Sequence, residues 1–150
     1  MRSKIGWFIL LYCIYGHAQN DISLKLKDSI AMDFTSFLGS DNFETYYFNN
    51  NNALIKQNTS QKLQYKNVSL GTIESICLTN PLQLVVFYKD FNSLILLDNQ
   101  LNETLKMDGN LLETPLKIEA FGLASQNKLW IYDDFLQKIN LFDLKTNEIK

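Results

Sequence analysis

The sequence predicts an all-β fold, a β-propeller-like array of about three four-stranded antiparallel blades. Two observations carry this. The chain repeats itself at a spacing of 45 residues: Ile73–Glu103 aligns with Ile118–Glu148 without a gap, with seven of 31 positions identical and most others apolar against apolar. Each unit also consists of short runs rich in Val, Ile, Leu, Phe and Tyr, separated by Asn, Asp, Ser and Pro, a rhythm that leaves no room for long helices. A β-sandwich or barrel is the alternative, although neither requires an ungapped repeat of this length.

The first segment lies outside the fold. Arg2 and Lys4 precede the apolar run Ile5–Gly16, which is too short to span a bilayer as a helix, and Gly16 and Ala18 form a small-x-small cleavage pattern. Residues 1–18 are therefore expected to be a secretory signal, and residues 19–150 a partial propeller domain. Cys13 offers lipoprotein attachment as an alternative, but Tyr12 is bulkier than the small residue that such processing wants before the cysteine. Ser23–Ile30 alternates apolar and polar residues as an outer strand does.

Three units follow, at about 34–69, 73–108 and 118–150. In the second, Ile73–Thr79 predicts a first strand and Leu84–Tyr88 a second, with a polar turn at Lys89–Asn92. Ser93–Leu97 predicts a third strand, Asp98 opens the next turn, and Glu103–Met107 predicts a fourth. The third unit matches it through Leu129–Tyr132 and ends as its fourth strand begins. The first is a weaker copy at a shift of 39 to 40, which places Phe34, Phe37, Phe48 and Leu54 opposite Ile73, Ile76, Phe87 and Leu94. Its Asn49–Asn52 run predicts a loop tip, and Lys62–Val68 an outer strand. Unbroken apolar strands such as Leu84–Tyr88 are expected in the middle of a blade, where both faces are covered. Closed propellers take about four to eight blades. Three units are thus expected to form an incomplete propeller whose end faces are exposed, with the ring completed by missing sequence or by self-association.

The segments NPLQLVVFYKDFNSLILLDNQLNE and GLASQNKLWIYDDFLQKINLFD resemble those of a family of secreted, propeller-like, uncharacterised proteins of Flavobacteria and their relatives. The resemblance covers most of Ile73–Asp143, and FYKDFN...LLDNQLNE is its most specific part. It implies a signal peptide, an envelope location and a longer chain, and it brings no catalytic residue. The short stretch Asp28-Ser29-Ile30 also resembles an O-glycosylation motif of exported Bacteroidetes proteins.

Composition narrows the chemistry. Without residues 1–18 the chain has 12 basic and 16 acidic residues, which gives no electrostatic reason to bind nucleic acid. The single histidine, His17, leaves with the signal, and with it the usual zinc sites and every Ser-His-Asp or Cys-His arrangement. Cys77 then has no disulfide partner and is expected to be a small hydrophobe in the core. No glycine-rich phosphate loop is present, and no cofactor is expected.

Three residues invite a functional reading. Asp133 and Asp134 are adjacent carboxylates in a turn, where they could help hold a cation or act as an acid/base pair, but Asp is also an ordinary turn residue. Trp130, with Tyr132, could stack on a sugar, but the repeat sets them opposite Val85 and Phe87, so packing between blades is expected. Asp98 and Asp143 recur one period apart and are expected to serve the repeated turn. The functional expectation is a non-enzymatic periplasmic or cell-surface propeller that scaffolds another envelope protein, without a membrane span once the signal is removed. The alternative is a glycan-binding module or a propeller enzyme with its site at the central channel.

Overall fold

The computed structural model describes residues 22–26, 29, 33–125 and 127–150. The expected signal segment lies outside them, as do Asp28 and Ile30 of the glycosylation-like motif. Ser23–Leu26, expected to begin an outer strand, form no strand. Alternation marks a segment able to be half-buried, but a strand exists only where its backbone groups find a partner.

Asp33–Lys150 form a compact all-β unit. The first sheet contains β1 (Ser36–Ser40), β2 (Tyr46–Asn50), β3 (Ala53–Gln57) and β4 (Lys62–Lys66). The second contains β5 (Ser75–Cys77), β6 (Gln83–Tyr88), β7 (Ser93–Asp98) and β8 (Glu103–Asp108). The third contains β9 (Ile118–Ser125), β10 (Lys128–Asp133), β11 (Lys138–Asp143) and β12 (Glu148–Ile149). Each is an antiparallel four-stranded meander in chain order, and none closes into a barrel, as a propeller-like array requires. All six residue pairs joining β6 to β7 recur 45 residues later between β10 and β11, from Gln83–Asp98 and Lys128–Asp143 onwards.

The unbroken apolar strands follow from their place in the stack. Side chains alternate across a strand, so β6 and β7 send Leu84, Val86, Tyr88, Ile95 and Leu97 toward Tyr47, Leu54 and Tyr65 of the first sheet. The intervening Val85, Phe87, Leu94 and Leu96 meet Leu129, Ile131 and Phe142 of the third. Burying each such aliphatic side chain contributes about 1.5–3 kcal/mol. A one-residue slip of β6 would exchange the two sets and break both cores. Polar ties reinforce the first boundary: Tyr65 OH donates to Glu103 Oε1 at 2.7 Å, and Lys56 Nζ to Asn99 O at 2.8 Å.

The first unit departs from the predicted alignment. Phe48 pairs with Phe37 and Ile55 on the sheet's outer face, whereas Phe87 lies on the opposite side of its own sheet, toward the third. The cause is hairpin length. Asn50 pairs directly with Ala53 across Asn51 and Asn52, both left-handed, whereas Tyr88 and Ser93 are separated by four residues that include a 3₁₀ turn at Lys89–Phe91. The loop tip is accordingly only Asn51-Asn52, and Asn49 lies within β2. Phe34 stands over Phe48, with ring centroids 4.6 Å apart.

Candidate functional site

The residue before the third strand of every sheet is left-handed: Asn52 (φ 63°), Asn92 (φ 49°) and Gln137 (φ 53°). That conformation suits the tight reversal between the two central strands, and Asn tolerates it better than most residues with a side chain. The same turns hold the segments leading into the sheets. Asp90 Oδ2 accepts from Thr72 N at 3.3 Å and from its hydroxyl at 3.0 Å. Asn92 reaches from the second sheet to the segment entering the third. Its Oδ1 accepts from Ile118 N at 2.9 Å, and its Nδ2 donates to Leu116 O at 2.5 Å.

Asp133 and Asp134 are engaged in the same way. Asp133 is fully buried, and its Oδ1 accepts from Lys117 N at 3.0 Å and Phe135 N at 3.1 Å, while Oδ2 has no partner. Asp134 pairs with the Lys117 ammonium, which holds its carboxyl below the usual range, and its N–H donates to Lys117 O at 2.9 Å. Both carboxylates thus fasten the segment that leads into β9. Asp98 and Asp143 each brace the turn before the fourth strand. Asp98 Oδ1 accepts from Gln100 N and Asn102 N, both at 2.8 Å, and Asp143 Oδ1 from Lys145 N at 3.0 Å. Lys150 Nζ lies 2.8 Å from Asp143 Oδ2 and is the main cause that holds this carboxyl at about 2. Among the described residues, no group of three or more His, Cys, Asp or Glu is placed to hold a metal ion.

Two places remain open. Between the turns of the second and third sheets lies a cleft of about 420 + 270 Å³ in scale, better stated as ≈ 690 Å³, lined by Asn92, Leu116, Phe135, Leu136 and the Lys89–Glu119 ion pair at 3.2 Å. Its lining is mainly apolar, and its polar side chains are paired with one another or with backbone, so no reactive group is presented there.

The second is the far face of the third sheet. Alternation along β10 turns Leu129 and Ile131 into the core and Trp130 and Tyr132 away from it. Trp130 pairs with Leu141 and Gly122, and Tyr132 with Ile139 and Ala120, so these six residues share one face across three strands. Neither core includes them. Trp130 is 49% exposed and Ile139 71%, whereas Val85, Phe87, Leu94 and Leu96, the residues 45 positions earlier, are 0–2% exposed. The expectation that Trp130 packs between blades is therefore corrected. Val85 is covered by the third sheet, and no sheet among the described residues covers Trp130. Isolated exposed apolar residues are ordinary, but a contiguous apolar sheet face marks an interaction site. Sequence analysis anticipated exposed end faces but named only Trp130 and Tyr132. The period-two pattern of Ile139 and Leu141, seen with the pairing of β10 and β11, completes the patch.

No protein-family model, curated protein or solved structure matches the chain.

Proposed function

We propose that this protein is a non-enzymatic, exported propeller-like scaffold that binds protein through the open face of its third sheet. The observation that carries the reading is the exposure of Trp130, Tyr132, Ile139 and Leu141 where the matching residues of the second sheet are buried by a neighbouring sheet. Sheet faces of this kind become stable when another surface takes them out of water. The carboxylates nominated by sequence support the same reading, because Asp133 and Asp134 are occupied with the turn and with Lys117. The amino-terminal pattern and the resemblance of Ile73–Asp143 to secreted Flavobacterial proteins support export to the periplasm or cell surface.

The test is a photo-crosslinking amino acid placed at position 139 in producing cells, with crosslinked species identified by mass spectrometry. Crosslinks to protein that disappear on Trp130→Asp are expected. A second reading has one observation in its favour, the adjacent Trp130 and Tyr132 on an exposed face, which could stack on a sugar ring. Absence of protein crosslinks together with Trp130-dependent binding on a glycan array would establish the sugar reading instead.

A further inference from the structure

We infer that the open face of the third sheet is occupied by the same face of a second copy, across a two-fold axis. The inference rests on the proposed protein-binding role of that face and names its partner.

The argument starts from the interface already present. The second sheet uses Val85, Phe87, Leu94 and Leu96 to pack against the third, and the third repeats that surface at 45 residues as Trp130, Tyr132, Ile139 and Leu141. A surface of this class is built to lie against another sheet about 10 Å away. Two sheet faces of this chain are candidates to cover it: the outer face of the first sheet and the third-sheet face itself. On the first, Ala53, Phe48 and Ile55 are already buried, at 3%, 5% and 6% exposure. The third-sheet face is the more open of the two. A head-to-tail contact would also leave one third-sheet face uncovered in any open assembly, whereas a two-fold contact covers both at once and stops.

The face is also shaped to meet its own copy. The β9 row is small, Ala120 and Gly122, and a Cβ built on Gly122 would meet nothing within 4 Å. The β10 and β11 rows are bulky. A two-fold axis lying between the faces and parallel to β10 sets the small row of each copy against Ile139 and Leu141 of the other. Trp130 and Tyr132 then meet their counterparts along the axis. None of these six side chains is charged, and the neighbouring Asp143 is paired with Lys150. With strands about 4.8 Å apart and rising about 3.3 Å per residue, the face measures roughly 19 by 20 Å. Both copies together bury on the order of 1,000 Å², the lower bound for a specific interface. Association is therefore expected to be weak and concentration-dependent.

The experiment is sedimentation velocity on the full chain over a wide concentration series, alongside Trp130→Asp and Ile139→Glu. A monomer–dimer equilibrium that both substitutions shift to monomer is expected. A second readout needs no alteration of the face: in a Trp7→Phe background Trp130 is the sole indole, and its emission should shift to the blue as dimer forms. A chain that stays monomeric throughout, a dimer indifferent to both substitutions, or an open-ended ladder of oligomers would each overturn the two-fold pairing. If the chain is monomeric while position 139 crosslinks to a different protein, the scaffold reading stands and the self-pairing falls.

Discussion

Replacing Asn92 with alanine is expected to destabilise the protein by about 3–5 kcal/mol. The figure is built from three parts. Alanine in the left-handed conformation that Asn92 holds, at φ 49°, costs about 1–2 kcal/mol. The two side-chain hydrogen bonds, to Leu116 O and from Ile118 N, contribute about 1 kcal/mol each. A further penalty of about 1 kcal/mol or more arises because Ile118 is buried and its N–H loses its partner. Asn92→Gly separates the parts, since glycine accepts the backbone conformation while removing the same bonds, and should lose about 1–2 kcal/mol less than alanine. Urea unfolding of the full chain by circular dichroism, with the m-value unchanged, measures both. A loss below about 1 kcal/mol for Asn92→Ala would refute the claim that this side chain ties the second sheet to the third. Equal losses for alanine and glycine would refute the backbone part.

Other outcomes follow from the same geometry. Gly71→Ala should lower the Tm, because Gly71 sits at φ +75° and an added Cβ would lie 2.7 Å from the Asp90 Oδ2 that holds Thr72; Asp90→Ala in that background should cost less than it does alone. Leu129→Ala, at a fully buried position, should cost about 2–5 kcal/mol in urea unfolding, while Trp130→Ala next to it should change monomer stability by less than about 0.5 kcal/mol. The folded pKa of Asp143, about 2, lies below the value of about 3.9 for an unfolded chain. Its contribution is therefore present above about pH 4 and lost as pH falls toward 2. Lys150→Ala should raise that pKa in a carboxyl-carbon NMR titration, and an unchanged value would remove Lys150 as its cause.

Much of the array was legible because its signals are local. The runs Leu84–Tyr88 and Ser93–Leu97, the turn between them and the 45-residue spacing all survive in β6, β7, β10 and β11. In the first unit the strands were legible but their faces were not. Shortening the hairpin to Asn51-Asn52 shifts the register by one residue, and period two turns that into a change of side for Phe48. The ties made by Asp90, Asn92 and Asp133 were hidden for a different reason. Asp and Asn in a turn satisfy local and distant backbone groups equally well, and only the fold shows that Asn92 reaches 26 residues ahead to Ile118. The open face was half legible: the repeat predicts which surface has no neighbour, but the pairing of Trp130 with Leu141 and Gly122 is needed to draw the patch.

The tie from Asn92 to Leu116 and Ile118 also bears on what the molecule exposes when it breathes. The second sheet is flanked by both cores, so its β6 and β7 amides should exchange with solvent most slowly, and those of the third sheet sooner. Detachment of the third sheet would uncover Val85, Phe87, Leu94 and Leu96, an aliphatic surface drier than the one open in the native state. Such transiently bared strands are the usual seeds of aggregation. Asn92 holds the hinge of that movement shut, and its side chain thereby guards solubility as well as shape.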